Sequence, residues 1–382
     1  MKKQVRYAIA AALVAATSIA ITPAQAEIRI GAIFSVTGPA AFLGEPERRT
    51  VELYVDRINT AGGVNGEKIK LIAYDDGADA NKARLLAQRL IDDDKVVAII
   101  GSTLTGPSLA IGSVASEAKI PVMALGGGVP IAEPVKPWVF KVGHTDRMIC
   151  QKIFGELQAR KLTKIGLVAG TDAFGNSMRN ECLKQAKTHD ITIVVDERHG
   201  PQDSDITPQL TNVRSAAGLQ AVVHTGFGET ATIFARNYRQ LGITVPLYES
   251  AGVAAPNYIK LTGAAAEGVR LPAPAVLVYD QLAKDDSQYK VVTDYAKAYQ
   301  AKYNEPASQF GGFAYDALHM LVMTYQKNKT TDPAKTRETL EAIGPYVGVT
   351  GTFNFSAKDH LGLDLSSFRM VEVSGGSFRL KN

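Results

Sequence analysis

The sequence predicts an α/β protein of two lobes, each built on a doubly wound parallel sheet. Three observations carry that reading. Short β-branched runs alternate with longer amphipathic segments, the same rhythm restarts after Val142, and 382 residues exceed the roughly 250–300 that a single core usually holds.

In the first half, strands are expected over 28–34, 70–74, 96–101 and 121–125, with helices over about 47–61, 81–93 and 106–118 between them. Val97-Ala98-Ile99-Ile100 and Ile165-Gly166-Leu167-Val168 are continuous apolar runs, as befits strands covered on both faces. The second half offers a helix over 146–160, then strands at 164–169, 191–196, 221–224 and 245–248 with helices at 175–189, 206–217 and 230–241. At 270–274 two prolines break the strand rhythm. Helical segments follow over 288–303, 309–327 and 333–342, then a hairpin of 367–373 and 377–380 turning at Gly375-Gly376.

The N-terminus has the three parts of a secretory signal: Lys2, Lys3 and Arg6, an apolar stretch from Ala8 to Ile21, and Ala24-Gln25-Ala26. Residues 1–26 are therefore expected to be removed after Ala26, leaving a protein that begins at Glu27 in the periplasm. The apolar stretch falls short of the ~20 residues a membrane span needs, and no Cys near the cut offers a lipid anchor. Removal takes three of the 42 basic residues and none of the 38 acidic ones, so 39 face 38 in the mature chain. Without a Lys/Arg stripe, no nucleic-acid partner is expected. Cys150 and Cys182 fall on two helices of the second half; export makes a disulfide between them available, and two buried thiols are the alternative.

In open α/β sheets ligands bind beyond the carboxyl ends of the strands. The loops there are rich in glycine and hydroxyls: Ser35-Val36-Thr37-Gly38, Ser102-Thr103-Leu104-Thr105-Gly106 and Gly126-Gly127-Gly128. Such loops, leading into helices, favour an anion such as a carboxylate.

Three segments in this order resemble the periplasmic solute-binding proteins of branched-chain amino acid type ABC importers: 30–39 (IGAIFSVTGP), 58–66 (INTAGGVNG) and Ala314-Tyr315-Asp316-Ala317. The resemblance covers essentially the whole mature chain. It implies the type I periplasmic binding fold, two lobes joined by a three-segment hinge with crossings near 142–145, 271–275 and 351–355. Lobe one would hold 27–143 plus 275–352, and lobe two 144–274 plus 353–382. It also implies a small-molecule ligand between the lobes, an inner-membrane ABC permease as partner, a monomer and no cofactor.

Carried over residue by residue, the family's carboxylate loop falls on Ser102, Thr103, Leu104 and Thr105, and its next binding loop on Gly126, Gly127 and Gly128. Its lobe-two aromatic contacts fall on Phe174 and Phe227, where tyrosine is common. The acid that usually grips an α-ammonium falls on Ala251, and Glu249 is the candidate to replace it. A buried ammonium without a carboxylate costs several kcal/mol. The expected ligand is therefore an apolar, aromatic carboxylic acid, with a branched-chain amino acid as the alternative. His224 is a candidate partner for a ring hydroxyl, while Phe42 and Leu43 could wall the pocket or cap the helix behind them. Core packing remains the other reading for Phe174, Phe227 and His224.

Against an enzyme, the sequence lacks G-x-S-x-G, G-x-x-x-x-G-K-[ST] and H-E-x-x-H, and its six histidines have no metal-ligand spacing. Asp92-Asp93-Asp94 reads as a solvated helix end rather than a metal site. A periplasmic sensor on the same scaffold is a further alternative to an importer.

Overall fold

The computed structural model describes residues 27–381, so the expected signal segment lies outside the described residues. The first unit runs β1 (Glu27–Phe34), α1 (Ala41–Thr60), β2 (Lys68–Asp75), α2 (Ala80–Asp92), β3 (Ala98–Gly101), α3 (Thr105–Ala118), β4 (Val122–Ala124) and β5 (Val139–Lys141). Its five strands are all parallel in the order β2-β1-β3-β4-β5. Strands β3 and β4 are buried along their whole length, which is why their sequence shows no alternation.

The second unit continues with α4 (Asp146–Ala159), β6 (Lys164–Gly170), α5 (Ala173–Thr188), β7 (Thr192–His199), α6 (Thr207–Ser215), β8 (Ala221–Thr225), α7 (Gly228–Gln240), β9 (Leu247–Glu249), α8 (Pro256–Thr262) and β10 (Arg270–Ala273). After it come α9 (Tyr289–Tyr303), α10 (Gln309–Asn328), α11 (Pro333–Leu340), the two-stranded pair β11 (Tyr346–Val347) and β12 (Thr352–Phe353), and the hairpin β13 (Arg369–Ser374) and β14 (Ser377–Lys381). The second sheet has seven strands, β14-β13-β10-β9-β8-β6-β7. Within it β7-β6-β8-β9-β10 is parallel and repeats the strand order of the first sheet, and the hairpin adds two antiparallel strands beside β10.

Several boundaries differ from the sequence expectation, each for a tertiary reason. Helix α1 begins at Ala41 rather than near 47, in spite of Gly44 and Pro46. Gly44 lies so close to the end of β1 that a Cβ there would stand 2.3 Å from the Ser35 carbonyl oxygen, so packing extends the helix past residues that propensity disfavours. The segment at 270–274 is not a break but strand β10, with Pro272 inside it. It is tolerated because pairing with β9 stops at Arg270, leaving β13 as the partner at Pro272. Strand β5 and helix α8 are additional; with three and seven residues, both are too short for a clear periodicity.

Helix α10 packs on α1, where Tyr54 meets Tyr315 edge-on with ring centres 4.7 Å apart. The neighbouring Asp316 is fully buried and accepts from the Val349 and Thr350 amides (2.7 and 2.8 Å) and the Thr350 hydroxyl (2.6 Å). That carboxyl, raised to about 7 by burial against the pull of those donors, fastens α10 to the segment before β12.

A disulfide joins Cys150 of α4 to Cys182 of α5, with Cα atoms 5.2 Å apart and a sequence separation of 32. Both cysteines are fully buried, and the bridge braces two packed helices that precede and follow β6 in the chain. Replacing both cysteines by serine is expected to lower stability by roughly 2–4 kcal/mol in urea unfolding. Wild type measured in reductant should fall to a similar midpoint; unchanged midpoints would show that the bridge adds nothing.

Candidate ligand-binding site

Both parallel sheets reverse direction of winding at one point, between β1 and β3 in the first and between β6 and β8 in the second. A crevice opens at such a point because the chains leaving the two strands depart to opposite faces. The connections leaving these four strands, through their loops or the first turns of the helices that follow, border one cleft with about 480 Å³ of space not filled by atoms, open solvent included.

From the first unit the wall is Leu43, Thr103, Leu104, Thr105, Leu125 and Gly127. Facing them are Phe174, Phe227, Ala251 and Gly252, with Phe174 and Phe227 edge to face at 6.2 Å. His144, Ile149, Gln309, Phe310 and Phe313 complete the lining. A Cβ at Gly127 would lie 2.7 Å from the Phe174 ring, so glycine here lets the two walls meet.

The two threonines differ in what they can still offer. Thr103 Oγ1 accepts the Ser35 amide (3.0 Å) and donates to the buried Glu47 carboxyl (2.5 Å), which burial lifts well above the usual range. Thr105 Oγ1 accepts the Gly128 amide (3.0 Å), so its own proton is free to be donated. Thr105 is also the first residue of α3, so the cavity meets the positive end of that helix.

Five residues singled out from the sequence do not line the cavity. Ser102 is buried and its hydroxyl donates to Asp76 (2.5 Å). Gly126 and Gly128 stand just behind the wall, the one accepting from Lys141 and the other donating to Thr105. Phe42 turns to a neighbouring groove and packs edge-on against Phe310 at 6.5 Å. His224 is fully buried, stacked on Phe234 at 3.9 Å, with Nε2 2.9 Å from His199 Nε2 and Nδ1 2.7 Å from Glu249 Oε2. Neither His224 nor Glu249 therefore reaches the cavity.

The protons in that row follow from its partners. His199 Nδ1 faces the Gly200 carbonyl (2.9 Å) and must donate, so its Nε2 accepts from His224, and His224 Nδ1 accepts the carboxyl proton of Glu249. Burial drives the same assignment. It lowers His224 to about 3 and is the main cause that holds His199 at about 4, while pushing Glu249 well above its usual value.

His144, Gln309, Phe310 and Phe313 were not singled out from the sequence. Gln309 to Phe313 immediately precede the Ala314-Tyr315-Asp316-Ala317 motif, and a Gly-Gly pair between aromatics at a helix start was the available signal. His144 stacks on Phe368 at 4.0 Å and meets Phe313 edge-on at 5.6 Å. Behind it the buried Lys141 ammonium donates to the carbonyls of Gly126 (2.5 Å), Gly143 (2.6 Å) and His144 (2.9 Å). Burial lowers Lys141 to about 7, while the nearby Asp146 favours its charge.

Burial, then the Lys141 charge, hold His144 at about 3, so it is neutral at physiological pH. A histidine with a lowered folded pKa costs nothing above about pH 6.5 and destabilises progressively as pH falls towards the folded value. Going from about pH 8 to pH 5, His144→Gln should therefore lose about 2 kcal/mol less stability than wild type. Parallel pH profiles in chemical denaturation would refute that account of His144.

A model of the family described as periplasmic binding protein matches residues 27–377. Among curated relatives, "Leu/Ile/Val-binding protein homolog 7" of Brucella abortus is 27% identical over 349 residues, covering 88% of this chain and 86% of that protein. The "Leucine-, isoleucine-, valine-, threonine-, and alanine-binding protein" of Pseudomonas aeruginosa is 25% identical over 339 residues, covering 87% of each. Among solved structures, an extracellular ligand-binding receptor from Rhodopseudomonas palustris HaA2 superposes with a TM-score of 0.87 at 27% identity, over 94% of this chain and all of that one. Two sheets of like strand order, a cavity where both change winding direction, and a family match spanning 27–377 lead to one conclusion: the chain belongs to the periplasmic binding proteins.

Proposed function

We propose that this chain is the periplasmic solute-binding subunit of an ABC importer, and that it holds a small carboxylate with an apolar body in the cavity between its two sheets. One observation carries the reading: the loops at both switch points meet in a cavity with an apolar majority, at the N-terminus of α3 beside the Thr105 hydroxyl. In this reading the carboxylate sits at Leu104–Thr105 and the body of the ligand packs on Phe174, Phe227, Phe310 and Phe313.

The closing units are lobe one, 27–143 with 275–352, and lobe two, 144–274 with 353–382, hinged near 142–145, 271–275 and 351–355. Supporting this division, the five-stranded sheet is drawn from 27–141, the seven-stranded sheet from 164–381, and α10 packs back on α1. Ligand favours closure by the contacts it makes only in the closed state. The closed monomer then meets a permease in the inner membrane. No step in this reading is chemical.

Two ligand classes have separate support. The relatives' names favour leucine, isoleucine and valine, and the comparisons as a whole back this reading more strongly. The lining favours an aromatic acid: no carboxylate side chain is part of it, Ala251 stands where the family's acid is expected, and Glu249 is spent on His224.

A thermal-shift screen of mature, refolded protein against leucine, isoleucine, valine, benzoate, hydroxybenzoates and phenylpropanoid acids tests both. Stabilisation grows as RT ln(1 + [L]/Kd), so millimolar ligand exposes micromolar binders. Shifts with the amino acids alone would remove the aromatic reading, shifts with aromatic acids alone would remove the other, and a silent panel would remove the small-carboxylate proposal. Phe227→Ala is expected to weaken the ligand found by ~1–3 kcal/mol in calorimetry. Unchanged affinity with a lowered melting temperature would make Phe227 a core residue.

A further inference from the structure

We infer that Gln309 selects the ligand by the hydrogen-bond donor it carries: its carboxamide oxygen takes the place of the missing acid and reads an ammonium or a hydroxyl on the ligand. The inference rests on the small-carboxylate reading of the cavity and deepens it.

Gln309 is the first residue of α10, only 2% exposed, and its side chain is part of the cavity lining. Its Nε2 donates to the carbonyl oxygen of Ala251, at the position where the family's acid is expected. Helix α10 packs on α1 of the first unit, whereas Ala251 follows β9 of the second, so this hydrogen bond crosses between the units. It also fixes which half of the amide is which, because an amide oxygen turned to that carbonyl would set two acceptors against each other. The remaining Oε1 is buried and has no hydrogen-bond partner among the described residues.

A buried acceptor without a partner calls for an explanation, and among the several such atoms of the described residues this one is the amide oxygen of a cavity-wall side chain. An acceptor accommodates a donor and rejects an anion. Elsewhere in the lining the start of α3 and the Thr105 hydroxyl do the reverse. Together the two groups orient a ligand that carries a carboxylate and a donor. An amide oxygen, unlike a carboxylate, demands no positive charge, so an uncharged hydroxyl and an ammonium both satisfy it. The Ala251 carbonyl does not fill this role, since it already accepts from Gln309 and from the Ala254 amide (3.1 Å).

The test uses two ligand pairs that differ by the donor alone: leucine with isocaproate, and meta- or para-hydroxybenzoate with benzoate, titrated calorimetrically into the full mature protein. Wild type should prefer the donor-bearing member of at least one pair by about tenfold, and Gln309→Met should bring that ratio close to one. A wild type without preference overturns the inference. So does a Gln309→Met protein that loses both members of the pair equally, since Gln309 would then be a latch between the units and no reader of the ligand. If Gln309→Met does not fold, Gln309→Glu decides: an anion there must raise the leucine to isocaproate ratio, and an unchanged ratio overturns the inference. Binding of none of the probes to wild type would instead overturn the small-carboxylate reading, and this inference with it.

Discussion

The Lys141 ammonium, buried at the end of β5 with three carbonyl oxygens around it, is the constraint on which the cavity depends. A buried cation is costly unless every proton finds an acceptor. Here the acceptors come from the loop after β4 and from the first chain segment leaving the five-stranded sheet, so satisfying one charge locks Gly126 against Gly143 and His144. Gly127, which receives the edge of Phe174, and His144, which lines the cavity beside Phe313, are thereby held in place. Asp146, itself pushed up to about 6 by burial, accepts the Val129 amide (3.1 Å) and continues the same polar seam into the start of α4.

A second buried seam, Glu249–His224–His199, solves a similar problem with no net charge. The protons run one way, from the Glu249 carboxyl to His224, from His224 to His199 and from His199 to the Gly200 carbonyl, so both histidines stay neutral and the carboxyl protonated, with Glu249 Oε1 left without a partner among the described residues. This is why an acid two residues from Ala251 leaves the cavity without a carboxylate: it is committed behind the wall, beneath the stacked rings of His224 and Phe234. The cavity lining then includes the Thr103 and Thr105 hydroxyls, a helix start and the Gln309 amide, with four phenylalanine rings among its walls.

Most of the fold could be read from the chain. The continuous apolar runs of β3 and β6 mark strands covered on both faces, and the repeated strand–helix alternation marks two parallel sheets. Thr103, Leu104, Thr105 and Gly127 were legible from the glycine and hydroxyl loops after strands, Leu43 from its place after the first strand, and Phe174, Phe227 and Ala251 only through the family resemblance; all eight line the cavity. Ser102, Gly126, Gly128, Phe42 and His224 lie in or beside the same loops yet point elsewhere, and one residue of displacement decides which way a side chain faces.

By itself, then, the sequence determined the architecture and the ordering of its loops, since strand rhythm and turn chemistry are local properties; that Ala251 stands where an acid is expected came from the family resemblance. Only the tertiary structure decided that Glu249 turns to His224, that Pro272 sits within a strand, and that His144 and Gln309 join the cavity wall. Those depend on elements far apart in sequence, such as α10 crossing back to meet the segment after β9, and on the requirement that each buried polar atom find a partner wherever the packed chains bring one.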